Sequence, residues 1–399
     1  QLIEFLIYGY QVFKEPTFKS RIFETIKWVL REMKTKDGGL ASAIDADSDG
    51  VEGKYYVWEK KEINEALGNL SDQFCKTYNV TKEGNWENKN ILNLKKKRSI
   101  KEMEEERKLL NILFEKRKKR TFPNLDNKIL TDCNGLMINA LANAGWVFNK
   151  KEWLNEAKNT YSFLYQNLIH NNELYHSWKD SKVKTFATID DYANFMRCSI
   201  TLFEKTNKKE YLNNAIKFSN IILKEFKDTK NGGFYINSKK TKDVFTKIKS
   251  IYDSAVPSGI SLVVESFAKL FYLTGNINFY DEAELALKSV SGNINKNFFS
   301  SASLINSNDI LKNGIHIVLL KVNKNMSILD KIKQVCLPNM IYQEIENSKE
   351  LPKKHLAFGK KCKNKKNTVF VCQNQNCSLP ITNFKEFIKI LSLKNETIN

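Results

Sequence analysis

Paired amphipathic helices that return along the chain limit its possible folds more than any other feature. Phe18, Trp153, Tyr211 and Phe279 each open the second helix of a pair. Each is followed four residues later by Ile22, Ala157, Ala215 or Ala283. Residues four apart share one helix face, so each pair presents an aromatic side chain and a small or apolar one to the same neighbour. The last three pairs recur roughly every 60 residues. A second echo joins the first. Gly38-Gly39-Leu40 and Gly232-Gly233-Phe234 both follow a second helix and lead into a short extended piece. Solenoid repeats are shorter and more regular. Long units with elaborate loops at one end predict an all-α fold of αα-hairpins closed into an (α/α) toroid around a central pocket.

Apolar periodicity places helices at 2–13 and 18–33, then at 60–67, 71–78 and 100–120. A strand is expected at 54–58. Further helices fall at 135–148, 151–169, 192–206, 208–226, 259–273 and 279–290. After about residue 310 the pattern changes to short apolar strands at 316–322 and 368–372 and helices at 327–336 and 383–391. The expected division is a toroid domain over 1–312, with an irregular insertion at about 60–125, and a small α/β region over 313–399.

No apolar run reaches the length of a bilayer-crossing helix. The formal charge of +19 is scattered; its densest runs are 95–98, 116–120 and 360–366, which read as solvated lysine faces. No nucleic-acid motif accompanies them. Seven cysteines in a chain of 399 residues do not make a disulfide scaffold and fit a reduced, cytoplasmic setting. His355, Cys362, Cys372 and Cys377 match no usual zinc spacing, so no metal and no cofactor are expected. The chain opens at Gln1 inside an amphipathic run, as a piece of a longer protein would.

The stretch 38–58 packs three aspartates, a glutamate and four glycines between helix and aromatic residues. Asp45-Ala-Asp47-Ser-Asp49-Gly50 matches the first half of a calcium loop, but Tyr56 stands where the bidentate Glu belongs. Two readings stay open: a solvated turn, or carboxylates directed into a pocket. Glycoside chemistry needs two carboxyls across a sugar ring, and Asp45, Asp47 and Glu52 are the candidates. The matching stretch 232–238 has no carboxylate.

Polar motifs also stand before later helices. Lys128 and Asn134 could reach a ligand from a helix N-terminus, or Thr131 and Asp132 could merely cap that helix. Asp190-Asp191-Tyr192 opens another; a cap uses one aspartate and leaves the second for a pocket. His176 and Trp178 lie just before. Asp253 and Ser258 open the next pair, with Ser258 as a cap or a ligand contact. Trp58, Trp86 and Trp178 are candidate stacking platforms. In a toroid all these points fall at one end.

These same residues carry a resemblance. Asp45-Ala-Asp47-Ser48, Glu52-Gly53-Lys54-Tyr55-Tyr56-Val57-Trp58, Gly84-Asn-Trp86-Glu87, Lys128-Ile-Leu-Thr131, Asn134-Gly135-Leu136-Met137, Asp190-Asp191-Tyr192-Ala193, Ala255-Val-Pro257-Ser258-Gly259 and Cys372, Cys377 and Pro380 follow in order. The chain thereby resembles the YyaL-type family that includes spermatogenesis-associated protein 20. The resemblance implies a six-hairpin (α/α) toroid, similar to N-acylglucosamine 2-epimerases and six-hairpin glycosidases and incomplete at its N-terminus. It also implies a thioredoxin-like domain that this chain lacks. The functional expectation is a carbohydrate or other small-molecule ligand, bound or acted on by Asp45, Asp47, Glu52, Asp190 and Asp191, with Tyr192 among the binding residues. The alternative is a non-catalytic module that presents clients to the thioredoxin-like domain.

Overall fold

A computed structural model describes residues 1–96, 99–241, 244–294, 298–323 and 327–396. Part of the basic run 95–98 lies outside them. In chain order the helices are α1 (Leu2–Phe13), α2 (Pro16–Glu32), α3 (Lys60–Leu67), α4 (Ser71–Thr77), α5 (Ile100–Arg117), α6 (Thr131–Val147), α7 (Lys151–Asn167), α8 (Ile189–Thr206), α9 (Lys209–Glu225), α10 (Gly259–Thr274), α11 (Ile277–Ile294), α12 (Ala302–Asn313), α13 (Ser327–Ile332) and α14 (Phe384–Glu396). The chain forms two compact units, one of residues 1–40 and 128–399 and one of residues 41–127. The inserted unit therefore includes the acidic turn, ahead of the expected start near residue 60. The C-terminal sheet belongs to the first unit.

In the first unit α1 and α2, α6 and α7, α8 and α9, and α10 and α11 form hairpins. Inner helices α1, α6, α8, α10 and α12 pack side by side in that order. This is the (α/α) toroid, with four hairpins and a fifth inner helix among the described residues. The inner helices α6, α8 and α10 are buried nearly all round, whereas the outer α2 and α9 bury one stripe. The repeat residues explain that stripe. Ile22, Ala157, Ala215 and Ala283 are all 0% exposed, and the three alanines let their outer helices approach their partners closely. Trp153, Tyr211 and Phe279 are buried beside them, each worth about 1.5–3 kcal/mol of burial. The Gly-Gly echo is also architectural: Lys34 bridges to Leu40 and Lys227 to Phe234 in matching antiparallel closures.

The C-terminal sheet runs in the order Met340–Ile345, Ile315–Leu320, Thr368–Gln373, Asn376–Cys377. The first two strands are parallel, joined through α13 as a parallel pair requires. The 368–373 strand is antiparallel to 315–320. Cys372 lies opposite Cys377 and is disulfide-bonded to it. An odd cysteine count argues against a scaffold, but a tight hairpin still brings one local pair together.

In the second unit Ala43–Ile44 pairs with Leu125–Asp126, and Asp47–Ser48 with Val51–Glu52. Its core gathers Trp58, Ile63, Phe74 and Leu113. The strand expected at 54–58 is absent; only Trp58 bridges, to Asn90. Gly50 and Gly53, both at positive φ, turn the chain twice. The Arg120 guanidinium then collects the carbonyls of Lys54, Tyr55 and Val57, so those groups are not available to a ladder. Among the described residues no helix is long and apolar enough to cross a membrane.

Candidate functional site

The acidic motifs of the first unit do meet at one end, where the inner helices begin. Helix N-termini carry orphan N–H groups and partial positive charge, and the aspartates answer both. Asp191 closes a capping box with Thr188: its Oδ2 accepts the Thr188 N–H at 2.9 Å. Its Oδ1 accepts the Asp132 N–H at the start of α6 at 3.2 Å. Asp190 Oδ1 accepts the Gly259 N–H at the start of α10 at 2.8 Å. Asp253 accepts from Ser258 at 3.0 Å and from Ser303, in α12, at 2.8 Å. Each aspartate thus reaches the N-terminus of a neighbouring helix, and the motifs stitch consecutive inner helices together.

That arrangement gives several of the residues singled out in the sequence structural partners. Asp190 is not released by its neighbour's capping role, because α10 takes it. Asn134 is buried and ties the Gly-Gly hairpin, accepting the Leu40 N–H at 2.8 Å and donating to the Leu40 carbonyl at 3.0 Å. Tyr192 is buried, its hydroxyl accepting the Leu174 N–H at 3.1 Å. Trp178 is 7% exposed and meets Phe163 edge-on, 5.2 Å between centroids. Trp58, 2% exposed, lies in its unit's core with Arg120 over its ring at 4.3 Å. Each of these has a structural role in its own unit. Ser258 caps α10, accepting from the Ser261 N–H at 3.3 Å. Lys128 is exposed.

Asp45, Asp47 and Glu52 are exposed in the second unit, with Asp47 directly opposite Glu52. Asp49 pairs with Lys54 at 2.9 Å. Trp86 is half-buried over Gly53, where an added Cβ would come 3.3 Å from the indole.

His176 keeps chemical capacity. It sits on the strand Glu173–Lys179, and its Nδ1 lies 2.9 Å from Asp191 Oδ1. The hydrogen bond to Asp191 raises the imidazole pKa against the opposing pull of burial. Asp132, His176 and Asp191 offer ligand atoms within 4.8 Å of one another, the only such set among the described residues. Asp191 already serves two backbone N–H groups, so the set is first a hydrogen-bonded anchor. The C-terminal residues do not assemble a zinc site: Cys372 and Cys377 are bonded together, and His355 Nε2 meets Gln343 while its Nδ1 accepts the Ala357 N–H.

A group of residues that the motif reading missed lines the ring's interior. A cavity of about 570 Å³ opens between the inner helices and the 335–340 segment. Arg197 stands in it, donating from Nε to both Glu265 oxygens at 3.1 and 3.2 Å and from Nη2 to Glu4 at 3.3 Å. Lys269 reaches Glu265 at 2.8 Å. Burial pushes the Glu265 carboxyl up, but Arg197 and Lys269 outweigh it and hold the pKa down at about 2. Asn139 and Asn143 both donate to Glu4, the first at 2.5 Å and the second at 3.2 Å. The sequence carries a signal for this group: Glu265 and Lys269 are the only charges in α10, and Arg197 interrupts an apolar run in α8. A charge amid an apolar helix faces either a partner or a cavity.

No family model matches the chain. Spermatogenesis-associated protein 20 of Rattus norvegicus is 24% identical over 440 residues, covering 96% of this chain and 55% of the relative. The Homo sapiens protein is 24% identical over 423 residues, covering 92% and 53%. The chain spans about half the length of these curated relatives. Among solved structures, a glycoside hydrolase family 76 α-mannanase of Bacteroides thetaiotaomicron aligns with a TM-score of 0.39 and 18% identity, over 58% of this chain and 67% of that one. A family 105 glycoside hydrolase of C. acetobutylicum aligns at 0.37 and 13%, over 74% and 76%. The cellobiose 2-epimerase of Spirochaeta thermophila aligns at 0.35 and 14%, over 41% and 43%.

Proposed function

Taking the chain as a distant homologue of spermatogenesis-associated protein 20, we propose that its helical ring binds a carbohydrate, or a similarly hydroxylated small molecule, in the central cavity. The supporting observation is the cavity itself. A sugar presents hydroxyl groups all round, so it needs donors and acceptors in close alternation. Glu4, Asn139, Asn143, Arg197 and Glu265 supply both, beside the phenol of Tyr8, in a volume of about 570 Å³. Small-molecule sites span roughly 300–1,000 Å³.

Two kinds of behaviour are compatible with such binding. In an enzyme reading, Glu4 and Glu265 flank Arg197 as the carboxyl pair for hydrolase- or epimerase-like work, with Glu265, held ionised, as nucleophile or charge stabiliser rather than proton donor. In a binding-module reading the ring holds its ligand without turnover and presents it to other domains. The interhelix use of Asp190, Asp191 and Asp253 favours the second, because it takes the loop aspartates out of chemistry. The exposed Asp45, Asp47 and Glu52 are given no part. Five free cysteines favour a reducing, cytoplasmic compartment, although Cys372 and Cys377 are paired.

The test is a thermal-shift screen of the 399-residue chain against mono- and disaccharides, repeated with Asn143→Ala, with product analysis on any ligand that binds. A shift that Asn143→Ala weakens supports cavity binding, and turnover then selects the enzyme reading. The absence of a shift from every sugar at millimolar concentration rejects the carbohydrate proposal.

A further inference from the structure

One cation in the cavity has only a long ion pair. Lys205, near the C-terminal end of α8, lines the cavity with its side chain 6% exposed. Its Nζ holds one carboxylate only loosely. The nearest carboxylate oxygen, Glu204 Oε2, is 3.8 Å away, while Glu204 Oε1 accepts the Tyr342 N–H at 3.0 Å. Nζ stands 4.4 Å from the centroid of Trp146. Every other cation around it is engaged: Arg197 with Glu265 and Glu4, Lys269 with Glu265, and Lys333 with Asn149 at 2.7 Å.

Burial lowers the Lys205 pKa and Glu204 only partly offsets it. An ammonium has three donors, and the long ion pair to Glu204 leaves Lys205 able to donate to an acceptor that enters the cavity. The indole face satisfies one side of the charge by cation–π attraction but accepts no directed hydrogen bond of ordinary strength. Across the same cavity Tyr8 and Asn143 offer hydroxyl-sized partners.

We propose that Lys205 and Trp146 form an oxyanion-binding end of the cavity, which takes the carboxylate or phosphate of a small hydroxylated ligand while its hydroxyls meet Asn143 and Tyr8. The ammonium is a compact point charge suited to either oxyanion. The cost of removing the anion from water is offset by its charge-assisted hydrogen bond to the Lys205 ammonium, which Trp146 holds in place from its ring face. The inference rests on the carbohydrate reading and narrows it to acidic members.

Calorimetric titration of the 399-residue chain with glucose, gluconate, glucose 6-phosphate and inorganic phosphate tests it. Gluconate or glucose 6-phosphate should bind at least tenfold more tightly than glucose, and Lys205→Met should abolish that preference without lowering Tm. Lys205→Arg should keep it, which guards against a Met variant that misfolds. Which sugar anion binds distinguishes a carboxylate source from a phosphate one. Equal affinity for glucose and both anions overturns the Lys205 proposal and leaves the carbohydrate reading standing. A preference unchanged in Lys205→Met also overturns it. Inorganic phosphate binding alone, lost in Lys205→Met, supports the oxyanion end and removes the carbohydrate reading.

Discussion

His176 Nδ1 donates to Asp191 Oδ1 across 2.9 Å, and through that one carboxylate the strand 173–179 is fastened to the start of α8. The hydrogen bond raises the His176 pKa, with burial opposing. A histidine raised in the folded state stabilises fully below its unfolded pKa of about 6.5, and the contribution is lost as pH rises through the folded value. Imidazole NMR titration should therefore place His176 above 6.5, and Asp191→Asn should bring it down. A His176 value at or below 6.5 in the parent chain would show that the pair is not formed in solution.

Gly259 is a contact point between inner helices. A Cβ there would meet Asp190 Oδ1 at 2.8 Å and the Asp190 backbone at 2.9 Å. Neither backbone can yield without parting α8 from α10. Gly259→Ala should cost about 1–3 kcal/mol, the usual penalty of overpacking, read by urea denaturation. A change under about 0.5 kcal/mol, the range of ordinary surface substitutions, would mean that the two helices are looser than described.

The repeat was legible because it depends on one stripe per outer helix: Ile22, Ala157, Ala215 and Ala283 are apolar and fully buried, and the sequence displays their apolar character directly. The loop-end aspartates were legible as a group but not as to task. Asp190 next to Asp191 reads as a cap plus a spare, since sequence gives no hint that Gly259, on another hairpin, supplies the second N–H. Trp58 and Trp178 read as platforms because an aromatic residue beside a carboxylate looks the same whether its face is open or covered. Where a strand is expected at 54–58 the chain forms a turn, with the Tyr56 and Val57 N–H groups returning to the Gly53 carbonyl and Arg120 taking the outward carbonyls. The cavity charges went unread because motif reading looks at loops, whereas Arg197, Glu265 and Lys269 sit within helices.

The Arg197 network predicts asymmetric mutational costs. Arg197→Ala leaves Glu4 and Glu265 facing each other without their shared cation, and breaking a buried pair costs about 3–5 kcal/mol. Replacing Glu4, Arg197, Glu265 and Lys269 together by apolar residues of similar volume should cost far less. The network also sets an acid limit. Glu265 is held down at about 2, so its stabilising contribution is complete above the unfolded value of about 4.3. It is lost as pH falls from there through about 2. Stability measured between pH 5 and 2 should decline less steeply in Glu265→Gln than in the parent. Parallel curves would remove Glu265 from the account of acid sensitivity.

Trp58 separates a structural role from a binding one within the second unit. Its ring is 2% exposed, packed in a core with Ile63 and Phe74 and covered by Arg120 at 4.3 Å. Arg120 in turn holds Glu62 at 3.0 Å and the Val57 carbonyl at 2.7 Å. Trp58→Ala therefore removes a core side chain and the seat of a guanidinium that fixes three carbonyls. The expected cost is about 3–5 kcal/mol, typical of truncating a buried aromatic residue. Trp58→Phe should recover most of it by refilling the space. A stacking platform would respond differently: truncation would weaken sugar affinity while stability stayed within about 0.5 kcal/mol, as for an exposed side chain. Parallel denaturation and sugar titration of both variants decide between the roles, and preserved stability with lost affinity would return Trp58 to the list of ligand contacts.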